Sequence, residues 1–393
     1  MSAGIINSLP IGSFPGVETT PLITDLLMRK APVAVGISGG KDSNVAAFET
    51  LRYLRELGHQ GELLLIHSDL GRIEHTDSLP ACRRLADRLG LELVVVRREK
   101  GDMVDRWLQR WHDNLGRYSI LKCVKLVLPW STPTMRFCTS ELKTAIICRY
   151  LVERFAHETI LSVVGIRRQE SPTRAKTNVL SLQEKLENKT FGTTGYNWHP
   201  ILAWTLEDVL SYHQYQNFSL LEAYTKFSMS RVSCSFCILS SIADLIASAT
   251  DPRNHDVYRE LVDLEIASAF SFQSGTWLGD VAPRLLSAEQ LAGLALAKQK
   301  AKDRERIEAR IPAHLEYTRS GWPQVMPTRA EAVMLSEVRR TIADLYQFTI
   351  SYSDPDSILA RYEELIAKRE AKGIVVKKAR ILPVQQQLWE VGA

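Results

Sequence analysis

Residues 33–54 read VAVGISGGKDSNVAAFETLRYL, and the reading of this stretch decides the fold. Val33 to Ile37 is a short run of β-branched and small residues, as a strand favours. Val45, Phe48, Leu51, Leu54 and Leu57 then recur at helical spacing. Between the two lies Ser38-Gly39-Gly40-Lys41-Asp42-Ser43, so the order is strand, tight turn, helix. Backbone N–H groups at such a turn and at the helix N-terminus converge on an anion. Adjacent glycines let the main chain approach it without a Cβ in the way. Lys41 and the hydroxyls of Ser38 and Ser43 add donors around the same point, which suits a phosphate group. The pattern is not a Walker A loop, which needs Gly, four residues, then Gly-Lys-Ser/Thr.

Outward from the turn the alternation continues. Strands are expected at 32–38, 62–68 (ELLLIHS), 92–98 (ELVVVRR) and 159–166 (TILSVVGI), with helices at 43–57, 75–89, 102–114 and 140–156. Apolar strands separated by amphipathic helices imply an α/β domain with a doubly wound parallel sheet covered on both faces. Its ligand is expected at the carboxyl ends of the strands. Residues 1–31, with Pro10, Pro15 and Pro21, read as an N-terminal extension ending in one short helix. The segment 167–200 reads as polar and irregular, followed by a helix near 205–216. Beyond it the chain reads as an added, mostly helical C-terminal region, dense in Ala, Lys, Arg and Glu over 286–310 and amphipathic over 328–347 and 355–371. The expected division is 1–31, 32–240 and 241–393.

With 393 residues, 45% hydrophobic and 24% charged, the chain has the composition of a soluble protein of one large or two medium domains. A net charge of +4 permits a polyanionic partner without demanding one. No run approaches the roughly 18 apolar residues of a membrane span, and no basic segment with an apolar core opens the chain. A cytoplasmic location with no membrane partner is the expectation. Six cysteines are too few for a disulfide scaffold, which leaves core packing, thiol chemistry or metal ligation.

Other residues gather around the expected strand ends. The second strand ends in HSDLG, where Asp69 can hold Mg²⁺ or a ribose hydroxyl, or simply cap a turn; Glu74 is a second candidate. GIRRQESPTRA, residues 165–175, brings Arg167, Arg168 and Arg174 off the fourth strand, as a second anion site or a solvated Arg cluster. His67 and His199 flank the site and can bond phosphate or serve structure. RFCTSELKT places Cys138 just before a helix, and SRVSCSFCILSS forms a Cys-x-x-Cys from Cys234 and Cys237. Thiolates so spaced can ligate iron–sulfur or zinc, or remain buried thiols. Cys82 and Cys148 fall in helix patterns and read as core.

The Ser-Gly-Gly-Lys-Asp-Ser turn resembles the PP-loop of the N-type ATP pyrophosphatases, the superfamily of tRNA-thiolation enzymes and the phosphoadenosine phosphosulfate (PAPS) reductase family. Residues 165–175 resemble that family's Gly-x-Arg-x-x-x-Ser-x-x-Arg signature, and WHPILAWTLEDVLSYH (198–213) its Pro-x-x-x-Trp-Thr-x-x-Asp-Val segment. The joint resemblance covers about residues 32–240 and implies an adenine nucleotide alpha hydrolase-like fold of the HUP type. It implies ATP with Mg²⁺, cleaved between the α and β phosphates. Ser38, Gly39, Gly40, Lys41, Asp42, Ser43, Asp69 and Arg168 would then bind the nucleotide, and Lys41, Asp42, Arg167 and Arg174 would act in catalysis. It also implies a [4Fe–4S] cluster on Cys138, Cys234 and Cys237, either with an open iron or closed by Cys123.

Three departures refine the resemblance. PAPS and APS reductases attack with a cysteine near their C-terminus, whereas the last cysteine here is Cys237. Reductases lack the intact Ser-Gly-Gly-Lys-Asp-Ser, and Phe137 stands where assimilatory APS reductases carry the first of two adjacent cysteines. These point to an enzyme that adenylates a substrate for sulfur incorporation, most similar to the Dnd and Ssp ATP pyrophosphatases of DNA phosphorothioation. That resemblance implies a cysteine desulfurase, other modification-complex subunits and DNA as partners. Lys298, Lys300, Lys302, Arg304 and Arg306 can contact DNA phosphates or, with Asp303, Glu305 and Glu308 interleaved, form an exposed mixed-charge helix. The alternatives are a PAPS or APS reductase-like enzyme, a thiolation enzyme acting on tRNA or a small molecule, and a non-catalytic ATP-binding subunit.

Overall fold

The computed structural model describes residues 14–318 and 320–374. The alternation in the sequence becomes α1 (Pro21–Met28), β1 (Val33–Gly36), α2 (Lys41–Glu56), β2 (Leu63–Asp69), α3 (Ser78–Leu89), β3 (Leu93–Arg97) and α4 (Met103–Ser119). It continues through α5 (Phe137–Thr139), a π-helical turn at Ser140–Thr144, α6 (Ala145–Arg154), β4 (Thr159–Val164) and α7 (Pro172–Ala175). Next come β5 (Leu180–Leu182), β6 (Thr194–Trp198), α8 (Leu206–Tyr215), α9 (Glu222–Thr225), α10 (Ile242–Ser248) and α11 (His255–Ser268). Three long helices follow, α12 (Ala288–Glu308), α13 (Arg329–Tyr346) and α14 (Pro355–Ala371).

The six strands form one sheet in the order β3-β2-β1-β4-β6-β5. β1 is parallel to both neighbours, with Val33 opposite Leu63 of β2 and Leu161 of β4. β6 runs parallel beside β4, and β5 closes the edge antiparallel, Leu180 opposite Trp198. This corrects the expectation for 167–200, which holds two strands. β6 reads TGYNW, too polar to announce a strand, and takes its conformation from the open edge of β4, where Thr159 pairs with Thr194.

The period of two along each strand sorts its side chains to opposite faces. Val33, Val35 and Ile37 pack with Val45, Phe48 and Leu51 of α2, Leu85 of α3 and Val209 of α8. Ala34, Leu64 and Ile66 point the other way, onto Cys148, Leu151 and Val152 of α6. Both faces are therefore covered, the doubly wound arrangement. The strand order reverses direction between β1 and β4, so the crevice at their carboxyl ends is the topological switch point where such sheets bind ligands.

The segment before α1 is fastened to this domain by indoles. Trp204 Nε1 donates to the Gly16 carbonyl at 2.6 Å, Trp198 Nε1 to that of Glu18 at 2.8 Å, and Phe14 stacks on Trp204. Pro10 lies outside the described residues.

The chain divides into two compact units. One takes in the residues up to Trp107, Trp130–Glu265 and Ser271–Leu291, and holds the sheet. The other comprises Leu108–Pro129, Ile266–Phe270 and the residues from Ala292 onward. Within the second unit Arg339, fully buried on α13, donates to the carbonyls of Tyr118, Ser119, Ser351 and Tyr352 at 2.8–3.2 Å. Among the described residues no helix is long and apolar enough to cross a membrane.

Candidate active site

A cavity of about 460 Å³ opens at the switch point, lined by residues of the β1–α2 turn, the ends of β2 and β4, and the segments around residues 136–148 and 224–233. Ser38, Gly40, Lys41, Asp42 and Ser43 all face it. The turn is tied internally: Ser43 Oγ accepts from Ser38 N at 3.3 Å and donates to the Gly40 carbonyl at 2.9 Å, while Asn44 Nδ2 donates to the Gly39 carbonyl. Gly39 has a φ of +73°, and a Cβ there would stand 2.9 Å from the Ser78 carbonyl, so both its conformation and its surroundings require glycine. No side chain caps α2. Its first-turn N–H groups and the positive end of its dipole are left for a ligand.

The exit of β4 locks onto this turn. Gly165 passes so close that a Cβ would lie 2.8 Å from the Asp42 carbonyl. Arg167, buried behind the turn, donates from Nε to Asp42 Oδ1 at 2.5 Å and from a terminal nitrogen to Gln169 at 2.9 Å. Its own backbone N–H is accepted by Glu170 at 2.8 Å, and Glu170 also pairs with Arg174. Arg174 and Glu170 face the cavity. Arg168 does not; it is held by Glu18 at 2.8 Å.

Lys41 is buried, which pushes its ammonium below the ordinary lysine range, while Asp42 opposes that shift. Its Nζ lies 3.8 Å from Asp42 Oδ2 and 3.5 Å from both the Tyr224 hydroxyl and the Ser230 carbonyl. These are long contacts, so the cation is available to a stronger acceptor.

At the end of β2, Asp69 is turned onto its own chain and accepts from Gly71 N at 2.8 Å; it does not line the cavity. Glu74 does, and its Oε2 receives His67 Nε2–H at 3.1 Å. The other ring nitrogen of His67 faces the Ile37 carbonyl at 3.0 Å. Burial disfavours the imidazolium, but hydrogen bonds to Cys82 and Glu74 outweigh it and push His67 up to about 10. With both nitrogens facing acceptors, the ring is a double donor. His199 also faces the cavity, its Nδ1 bonded to the Asn178 carbonyl at 2.9 Å, and burial lowers its pKa so that the neutral ring is favoured.

Sequence reasoning passed over three cations. Arg136, Lys143 and Arg231 line the same cavity, and none makes an ion pair among the described residues. Arg136 and Lys143 flank Cys138 in the RFCTSELKT run, and Arg231 precedes the Cys-x-x-Cys, so all three lie in the cysteine motifs. The cavity carboxylates are already engaged: Asp42 by Arg167, Glu74 by His67 and Glu170 by Arg174. The excess positive charge suits a polyanionic ligand.

Burial pushes the Cys234 thiol up to about 12, with smaller electrostatic contributions from Cys237 and Cys138. Glu74 and Cys234 pair in an isolated antiparallel bridge, which sets the Cys-x-x-Cys beside the end of β2. Among the described residues, however, no three Cys, His, Asp or Glu side chains gather closely enough to hold a metal ion. Cys123 lies in the second unit, buried beside Asn114 and pushed up to about 11 by burial. Cys138, Cys234 and Cys237, the thiols that the resemblance implies for a [4Fe–4S] cluster, all belong to the unit that holds the sheet. For Mg²⁺ the donors do fit, because that ion is commonly held by one or two carboxylates together with substrate phosphates. Glu74 faces the cavity with its Oε1 free of hydrogen bonds among the described residues.

A glycine-rich anion turn at the switch point of a doubly wound sheet defines a nucleotide-type α/β protein. Residues 32–239 match the profile of the phosphoadenosine phosphosulfate reductase domain, and the chain belongs to that family. No curated protein matches it. Solved structures similar to it include the FMN adenylyltransferase of Candida glabrata in complex with FAD and inorganic pyrophosphate, at 15% identity over 51% of this chain and 54% of that one, with a TM-score of 0.34. This chain thus spans about half the length of that enzyme. The U34-tRNA thiolase NcsA from Methanococcus maripaludis, with its [4Fe-4S] cluster, is similar at 15% identity over 73% and 76% of the two chains, with a TM-score of 0.34. The PAPS reductase of Candida auris, in a phosphate complex, is similar at 12% identity over 56% of this chain and 97% of that one, with a TM-score of 0.33.

Proposed function

We propose that this protein is an ATP pyrophosphatase that adenylates an acceptor for sulfur incorporation. The observation that carries the reading is the junction of the 38–43 turn with the exit of β4, where uncapped N–H groups and Lys41 face a cavity with surplus positive charge. The β and γ phosphates lie in the turn, against Lys41 and the first-turn amides of α2. Arg174 and Arg231 supply further charge to the phosphates. Arg167 acts on Asp42, fixing the turn rather than touching the nucleotide. Glu74 is the carboxylate for Mg²⁺, which when bound neutralises phosphate charge.

An oxygen of the acceptor attacks the α-phosphorus, the bond from that phosphorus to the α–β bridging oxygen breaks, and pyrophosphate departs with the electron pair. The turn stabilises the charge that develops on the leaving group, a mechanism of positioning and electrostatics. The terminal sulfur of a desulfurase persulfide then attacks the adenylated acceptor phosphorus, and AMP leaves with the oxygen that linked it. Two equivalents of an external thiol reduce the remaining S–S bond, releasing the phosphorothioate and the free desulfurase cysteine and forming a disulfide. The acceptor in this reading is a DNA backbone phosphate, as the resemblance to the Dnd and Ssp enzymes suggests. No step is assigned to an iron–sulfur cluster.

The deciding experiment is pyrophosphate release from ATP–Mg by purified protein in anaerobic buffer, with DNA and a desulfurase, beside Lys41→Ala. Release should occur in the wild type and fall by at least about a hundredfold in the variant. No release from the wild type, with conversion of PAPS by a thiol donor instead, would establish the reductase alternative. Binding of ATP without turnover would establish a nucleotide-binding subunit.

A further inference from the structure

Residues 221–233 form a strap whose inner side faces the anion turn. Leu221, Ala223 and Met229 pack on Ala81 of α3 in a small separate core, and Glu222 N donates to Asp77 at 2.8 Å. Further along, Asp244 receives both Ser230 N and Ser230 Oγ, at 2.7 and 2.9 Å, which fixes the carbonyl that faces Lys41. The strap delivers Tyr224, Arg231, Val232 and Ser233 to the cavity wall. Tyr224 is the one that meets Lys41 most fully: its hydroxyl is 3.5 Å from Nζ, and its ring centroid only 4.6 Å from the same atom. A Cβ on Gly40 would sit 3.8 Å from the same hydroxyl, so the phenol lies directly against the turn.

Without this ring the ammonium would keep only long contacts to the Ser230 carbonyl and Asp42, and Asp42 is committed to Arg167. A phenol face and hydroxyl favour a cation without neutralising it as a carboxylate would. We propose that Tyr224 is a positioning residue that holds the Lys41 ammonium in the cavity, ready to exchange its weak contacts for phosphate oxygens. The inference rests on the reading of Lys41 as a phosphate ligand. It adds that a residue 183 positions away in sequence sets the state of that lysine.

The test is the titration of Lys41 by NMR after ¹³C reductive methylation, assigned through the resonance missing in Lys41→Ala. The charged and titratable groups around Lys41 are Asp42, Arg167, Glu170, Arg231 and Tyr224, and the variants change only the last. Tyr224→Leu keeps an apolar side chain at this position, although a smaller one, and removes the ring face and the hydroxyl. The Lys41 resonance should then titrate at lower pH than in the wild type, and kcat/KM for pyrophosphate release from ATP–Mg should fall about tenfold. Tyr224→Phe, which retains the ring, should show a smaller shift in the same direction.

A merely structural role predicts the opposite sign, since a loosened strap hydrates Lys41 and moves its titration upward. Met229→Ala, which loosens the strap without touching Lys41, serves as that control. An unchanged or upward shift in Tyr224→Leu would overturn the proposal. If Tyr224→Leu does not fold, Tyr224→Phe decides, because loss of the hydroxyl alone must still lower the titration. Should Lys41→Ala retain pyrophosphate release, the reading of the site fails instead, and the two failures are distinguished.

Discussion

Gly165 and Asp42 show how little room the candidate site leaves at the scale of single residues. The carbonyl of Asp42 stands 2.8 Å, and Ser43 Cα 2.9 Å, from where a Cβ on Gly165 would sit. Both obstacles are backbone, so neither can rotate away. Gly165→Ala should therefore displace the turn, weakening a non-hydrolysable ATP analogue by more than about tenfold in calorimetry and costing about 1–3 kcal/mol of stability in urea denaturation. An alanine variant with wild-type affinity would show that the close approach does not set the turn. Residue-scale geometry also gives two of the candidates partners within the protein. Asp69 and Arg168 sit near the strand ends as their sequence positions imply, yet Asp69 caps its own turn and Arg168 is occupied by Glu18. Short polar side chains at strand ends readily bond their own backbone, and sequence does not reveal the nearest partner.

At the scale of elements, two crossovers meet at one point. β1 delivers the turn and the start of α2, β4 delivers Gly165 and Arg167, and the ion pair between Arg167 and Asp42 fastens one to the other. Arg167 is only 6% exposed in its side chain and Asp42 17%, so the pair is shielded from water. Removing one partner of a shielded pair leaves an uncompensated charge. Arg167→Ala should cost about 2–4 kcal/mol in denaturant unfolding and lower the rate of pyrophosphate release. Arg167→Lys should not restore the rate, because a lysine cannot serve Asp42 and Gln169 with the fixed fork of a guanidinium. Recovery of full activity in the lysine variant would reduce the role of Arg167 to charge alone.

Over the whole molecule, the division into two units governs what each substitution can report. The site lies in the unit that holds the sheet, whereas Arg339 belongs to the other. That buried guanidinium faces carbonyl oxygens rather than carboxylates, and burial lowers its pKa. Arg339→Met would strand those carbonyls without their donor, at a cost of about 3 kcal/mol. The expected outcome is a lower urea midpoint, and an unchanged midpoint would mean the carbonyls find other donors. Each unit draws on three stretches of sequence, so helices α4, α11 and α12 each contribute to both. A one-dimensional reading of composition has no access to such interleaving, because it weighs neighbours along the chain and not across it.

The sequence by itself determined the alternation of strands and helices from residue 33 to 164, since a period of two in apolar strands and of 3.6 in helices is written locally. It also determined the tight turn before α2, because Gly39, with a φ of +73°, answers a local backbone demand. Other features were decided only when the chain closed on itself. β6 became a strand because β4 offered an edge, not because TGYNW favours one. Arg136, Lys143 and Arg231 became a cation wall, and Tyr224 came to rest on Lys41, because distant segments converge on one cavity. Local propensity fixes what an element is; long-range packing alone fixes which side chains share a site, and charge and chemistry act only between those that do.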